Sequence, residues 1–220
     1  MSDINFIREI LLPPLLKGTV VTFKLIVVSI PLGLILGVLI AVGRVYGNKL
    51  ISSLCAGYTL FFRGSSLLVQ LFILYYGLPS VGIFLSPFTA AVLAFTFCSS
   101  AFHSEYIRGA IQSIKSGQMM AAEALGMNKF KAILYIILPQ ALRRAIPGCS
   151  NEIIYLVKYS SLAFMVTCME LTSAGKNIAT LYFRYTEVFL VVGIIYLIMV
   201  SVVTRFLNIL EKKLEIPGIE

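Results

Sequence analysis

Two ionisable side chains, Glu152 and Lys158, stand in a stretch otherwise apolar enough to be a membrane helix. A charge at bilayer depth costs about 2.5–3.5 kcal/mol on insertion scales, so both must face protein or a wet cavity. Their separation of six positions is about 600° around a helix, which points them to different sides and excludes a simple intrahelical pair. Glu152 shares a face with Tyr155 and Tyr159, and Lys158 shares one with Ser161. Both charges line a polar route with Ser160 and Ser161, or each pairs with a neighbouring helix, or Glu152 sits at the wet membrane edge. His103, beside Ser99, Ser100 and Ser104, reads either as a packing histidine or as a contact for a solute. Gln70 is the one strongly polar side chain in its apolar run, and either ties helices together or touches solute.

Other chemistries find little footing. A phosphate-cradling G-x-x-x-x-G-K-[ST] loop is missing; Gly43 to Leu50 comes nearest and fails, because Asn48 precedes Lys49. Cys55, Cys98, Cys149 and Cys168 form no C-x-x-C pair and His103 is the only histidine, which argues against a metal site. No nucleophile–base pair stands in a plausible setting, so the chain reads as no enzyme. A net charge of +8 invites a nucleic-acid reading. The basic residues, however, lie between apolar blocks and form no stripe with aromatics, as in cytoplasmic loops of a membrane protein.

The elements that must position these residues are membrane helices. The chain is 59% hydrophobic and only 13% charged over 220 residues, with a mean hydropathy of +0.93. A soluble domain is roughly 45–50% apolar and about 25% charged. About 20 apolar residues cross the hydrocarbon core. That length predicts an all-α integral membrane protein, one domain over 1–220, with about five helices near 19–43, 54–78, 87–111, 147–171 and 187–206. The first is expected to be a retained signal-anchor, kinked at Pro31. Along it Ser29, Gly33, Gly37 and Ala41 recur every four residues, a small-residue stripe that serves packing inside the subunit or a dimer seam. Residues 115–145 read as a water-facing helical segment stopped by Pro139 and Pro147, and an amphipathic tail over 207–214 precedes Pro217. With the N-terminus outside and the C-terminus inside, twelve of the 18 basic residues fall in cytoplasmic segments and five outside, which favours that orientation.

The long cytoplasmic segment carries a motif. It reads Gly117-Gln118-Met119-Met120-Ala121-Ala122-Glu123-Ala124-Leu125-Gly126, then, after a nine-residue spacer, Ile136-Ile137-Leu138-Pro139-Gln140-Ala141-Leu142-Arg143. This resembles the EAA loop of the membrane subunits of ATP-binding cassette importers. Phe62-Arg63-Gly64-Ser65-Ser66-Leu67-Leu68-Val69-Gln70-Leu71 is similar to the opening of helix two in the polar amino-acid permease family. Asn151-Glu152-Ile153-Ile154 with Lys158-Tyr159-Ser160-Ser161-Leu162 resembles that family's helix four. Departures are Met120 where the motif has its leading glutamate, Ser65-Ser66 where Thr-Pro is frequent, and Tyr159-Ser160 where Asp-Thr is frequent.

The resemblance implies a type I (MetI-like) importer fold, with a cytoplasmic coupling helix that docks on a separate ATPase dimer. Gly117, Ala121, Ala122, Glu123, Gly126, Leu138 and Pro139 then belong to the coupling loop, with Leu125, Met127 and Phe130 as apolar anchors. It further implies a second permease copy, identical or related, an extracytoplasmic solute-binding protein, and a place in the bacterial inner membrane. ATP and magnesium are used by the partner; this chain binds no cofactor of its own. The solute is expected to be a polar amino acid, its ammonium matched to Glu152 and its carboxylate to Lys158. An ion-coupled secondary transporter or channel, with those two residues as a charge relay, is the competing reading; five helices without internal repeats disfavour it.

Overall fold

The computed structural model describes residues 5–214 and is helical nearly throughout. Pro217 lies outside the described residues. Helix α1 runs Phe6–Tyr46, opening with a wide π-turn and carrying Pro31 in its interior. Asn48 starts α2 (Lys49–Gly64) by accepting the Ile51 backbone N–H at 2.9 Å. Next come α3 (Leu67–Val81) and α4 (Pro87–Gln112), the latter capped by Ser86, whose Oγ accepts the Thr89 N–H. Short α5 (Ser116–Ala124) leads to α6 (Lys129–Val166), α7 (Leu171–Tyr182) and α8 (Tyr185–Leu214).

α4 is the axis of the bundle, packed by α1, α2, α3 and α6. More than half of its residues are buried. By length and composition α1 and α8 qualify as membrane-crossing helices, and up to four spans result if the bent pairs α2–α3 and α6–α7 each count as one. Of the five expected spans, α4 is the one this criterion leaves out. Ser99, Ser100, His103 and Ser104 lower its hydropathy, yet all four are buried against neighbouring helices and meet no lipid.

The small-residue stripe of α1 faces α4. Ser29, Gly33, Gly37 and Ala41 are all buried, and a Cβ added at Gly37 would stand 2.8 Å from the His103 Cβ and 3.1 Å from the Ser100 carbonyl oxygen. The stripe therefore serves packing inside the subunit. Gly37→Val forces the two helices apart at a cost of about 1–3 kcal/mol, the usual penalty of overpacking. The expected result is a lower melting temperature of the detergent-purified protein; melting indistinguishable from wild type would show a looser seam.

Four expectations are corrected. The helix expected over 54–78 is two helices bent by 102°, broken at Ser65–Ser66. The helix expected over 147–171 is the later part of α6, which begins at Lys129, passes Pro139 and Pro147 and breaks before Leu171 with a bend of 53°. Prolines do not stop it, because Pro139 follows a π-turn at Ile133–Ile137, where the widened backbone relieves the clash with the preceding carbonyls. Residues 129–145 thus belong to that helix and not to a loop. The tail over 207–214 is the continuous end of α8.

Apolar side chains gather in three groups along the bundle. Leu15, Leu171, Ile178 and Val188 join the start of α1 to α7 and α8. Leu25, Leu71, Phe95, Leu156 and Val166 pack midway, where both broken helices meet. Ala41, Ile107, Ile137 and Ala141 lie toward α5.

Candidate functional site

Broken helices leave backbone groups without helical partners, and in lipid each must be satisfied by protein. At the first break Gln70 does this. Its Nε2 donates to the Phe62 carbonyl at 3.0 Å and to Ser65 Oγ at 2.9 Å, reaching back across the bend from α3 to α2. Gln70 is buried, and its Oε1 has no partner among the described residues.

At the second break α6 tightens into a 3-10 turn over Ser160–Val166, closed by Thr167 in the left-handed region at φ 61°. Ser160 and Ser161 direct their hydroxyls to carbonyls three residues back, Val157 at 2.7 Å and Lys158 at 2.9 Å. They shape the turn. The chain restarts at Glu170, a residue the sequence reading passed over. Its carboxylate accepts the backbone N–H groups of Thr172 and Ser173, both at 2.8 Å, and the Tyr196 hydroxyl at 2.9 Å, while the Leu171 N–H donates to Thr22 Oγ1 at 3.2 Å. The signal was available: an acidic residue followed by Leu-Thr-Ser at a helix start. Glu170→Ala removes three acceptor contacts from a fully buried position. It is expected to cost about 1–3 kcal/mol and to lower the melting temperature, whereas Glu170→Gln retains part of the cap.

The two breaks are fastened to each other. Tyr75 and Thr167 share a hydroxyl–hydroxyl bond of 3.1 Å, and the Tyr76 hydroxyl donates to the Met165 carbonyl at 3.1 Å. Before this turn α6 presents the predicted charges on two sides. Glu152 is buried, only 5% exposed, against α4, and Arg63, Tyr106, Cys98 and Cys149 lie within its electrostatic reach. Lys158 is exposed, with its Nζ 4.9 Å from the Tyr155 ring centre, and Tyr155 stacks on Tyr159 at 6.0 Å. Glu152 is therefore buried among protein groups, while Tyr155 and Tyr159, grouped with it by periodicity, lie on the exposed side with Lys158. His103 is fully buried against α1, and neither ring nitrogen has a partner among the described residues.

The predicted coupling loop is a hairpin of α5 and the start of α6. Gly126, at φ 79°, ends α5: its N–H bonds the Glu123 carbonyl and the Met127 N–H bonds that of Ala122. Asn128 then caps α6 by accepting the Lys131 N–H at 2.9 Å. Glycine is thus needed by the backbone. Leu125 is 84% exposed, Phe130 71% and Met120 61%, an apolar group with no cover among the described residues. Gly117, Ala121, Glu123 and Pro139 are exposed, Met127 and Leu138 half-buried. Ala122 is the exception among the expected docking residues: it is buried inside the hairpin, where the turn of α5 directs it toward the start of α6. A second group passed over in the sequence is ionic: Arg44, Arg63 and Arg108 converge on Glu105.

Comparison with known proteins places this geometry. Residues 29–216 match the family model of the binding-protein-dependent transport system inner membrane component. The nopaline transport system permease protein of Agrobacterium fabrum is 38% identical over 219 residues, covering 95% of this chain and 90% of its own. A putative glutamine transport system permease protein of Rickettsia typhi is 37% identical, covering 96% of each. Among solved structures, an amino acid ABC transporter crystallised with histidines superposes with a TM-score of 0.83 at 33% identity, over 91% of this chain and 94% of that one. An inward-facing MetNI methionine ABC transporter superposes with a TM-score of 0.79 at 21% identity, over 94% and 99% respectively, and shares the fold.

Proposed function

Because this chain belongs to the family of binding-protein-dependent transport system inner membrane components, we propose that it passes polar amino acids inward through the junction of its two broken helices. The observation that carries this reading is Glu152, buried against α4 and within electrostatic reach of Arg63 at the end of α2, just before the first helix break. Discontinuous helices at membrane depth are how transporters expose backbone and polar side chains to a solute. An amino acid brings the ammonium that a buried carboxylate lacks. Relatives named for nopaline, glutamine and cystine transport support a polar amino acid as the cargo.

ATP is hydrolysed by a separate subunit of such importers. Leu125, Phe130 and Met120 supply the apolar anchors for that ATPase, and α6 carries its motion toward Glu152. Two permease copies, identical or related, stand on an ATPase dimer, with Lys158, Tyr155 and Tyr159 on the exposed face of α6 where a second copy approaches. A solute-binding protein delivers the cargo from outside. The chain lies in the bacterial inner membrane with five spans, α4 among them, its N-terminus outside and α5 in the cytoplasm, in keeping with the basic residues that flank α5.

Uptake of a panel of radiolabelled amino acids, in cells with and without the chain, tests this. Uptake of one or a few polar amino acids that needs the chain and stops on ATP depletion is expected. Uptake that survives ATP loss and collapses with an ionophore would overturn it in favour of an ion-coupled carrier.

A further inference from the structure

Arg44 closes α1, Arg63 closes α2, and Arg108 lies in the last turns of α4, the turns that lead to α5. All three guanidiniums meet one carboxylate. Glu105 is paired with Arg44, takes Arg108 Nη2 at 2.7 Å and Nε at 3.2 Å, and has Arg63 Nη1 at 3.8 Å. Three guanidiniums meet this one carboxylate, and Arg63 also lies within reach of Glu152, so the group carries a net positive charge on side chains that are each only partly exposed. Arg44, Arg63 and Glu105 edge a cavity of about 350 Å³ between α2 and α4, whose other walls include Ala56, Leu60 and Phe102. Arg63 also lies over the Phe102 ring at 5.2 Å, which fixes its fork at the cavity's mouth. Leu60 is itself largely exposed, and outside the cavity Leu54 and Phe61 of α2 are exposed and apolar.

A cationic ring at one end of membrane helices, opening onto an apolar helix face, fits one kind of molecule: a phosphate on an acyl chain. Guanidinium groups bind phosphate oxygens bidentately. Basic pockets between membrane helices on the cytoplasmic side suit anionic headgroups. We propose that this cavity binds an anionic phospholipid, its headgroup phosphate on Arg44 and Arg63, the two cations that line it, and its acyl chain along Leu60 and Phe61. Arg108, held to Glu105 through two nitrogens and to Gln112 through the third, stays with that carboxylate and balances it, so that the incoming phosphate meets the charge of the other two.

The test is native mass spectrometry of the delipidated permease–ATPase complex, titrated with phosphatidylglycerol or with phosphatidylcholine of the same chain length. The expected first site takes phosphatidylglycerol about tenfold more tightly, the effect of one charge-assisted contact. Arg63→Gln is expected to erase that preference, Arg63→Lys to keep part of it, and Lys49→Gln, an exposed cation at the far end of α2, to leave it intact. Unchanged melting of Arg63→Gln excludes a folding effect; should that variant melt early, the Arg63→Lys and Lys49→Gln pair decides alone. Equal binding of the two lipids by the wild type, as when a second copy covers the cavity, overturns the proposal. So does a preference that survives Arg63→Gln, or displacement of the lipid by inorganic phosphate, which assigns the site to a free anion.

Discussion

Glu152→Gln is expected to abolish most ATP-dependent uptake, raising the half-saturating concentration of the cargo by about 10- to 100-fold. A hydrogen bond to a charged group contributes roughly 1.5–3 kcal/mol, and about 1.4 kcal/mol is a factor of ten. The substitution keeps the shape of the side chain and removes its charge. Because Glu152 is buried, its carboxylate is costly to the empty protein, so the variant melts at the same temperature or higher while it transports less. Opposite movement of activity and stability is the mark of a residue kept for ligand and not for fold. Glu152→Asp, shorter by one methylene, falls between. Uptake kinetics on membrane vesicles measure the first quantity and thermal melting of the purified complex the second. Undiminished uptake by the glutamine variant would remove Glu152 from the route.

The second large effect lies at the opposite end of α6. Leu125→Asp with Phe130→Asp is expected to release the ATPase on purification and to leave the membrane subunit folded. Both side chains project from the hairpin, so charging them disturbs nothing inside it. Each anchor of an interface contributes about 2 kcal/mol or more, roughly 30-fold in affinity. The pair together takes a complex below what survives a column. Ala122→Leu gives the contrasting result. It breaks the hairpin from within and lowers melting as well as assembly, since Ala122 is buried. Full retention of the ATPase by the double aspartate variant would place the coupling contact elsewhere on the chain.

How far the sequence revealed this arrangement depended on whether the cause was local. The helix expected over 87–111 is α4 to within a residue, because Ser86 and Pro87 specify its start through short-range capping. The turn between α5 and α6 has causes as local, Gly126 and Asn128, yet residues 115–145 read as one helical segment because strong helix formers surround them. The stripe on α1 declared close packing; its partner, α4, did not declare itself. The break at Ser65–Ser66 carries no proline and no left-handed glycine, and is held open by Gln70 reaching back from the next helix. That is a tertiary cause with little local trace. Pro139 misled in the other direction, because a π-turn just before it absorbs what a regular helix would not, and Pro147 lies inside regular α-helix. Periodicity separated Glu152 from Lys158 but held no information on which side faced inward. Arg44, Arg63, Glu105 and Arg108, scattered over three helices, became a group only on folding.

The unbroken run of α6 from Lys129 to Val166 has a mechanical consequence. At 1.5 Å per residue it is a rod about 55 Å long, and a tilt of about 4° about its middle swings each tip by about 2 Å. Phe130 rides on one tip, and the 3-10 turn held by Tyr75 and Tyr76 rides on the other. Such a rod trades force for nothing: it delivers at the far tip, reversed in direction, the displacement applied at the near one. A small stroke at the α5–α6 hairpin therefore arrives at the turn beside Thr167, diminished only by what bending of the rod absorbs.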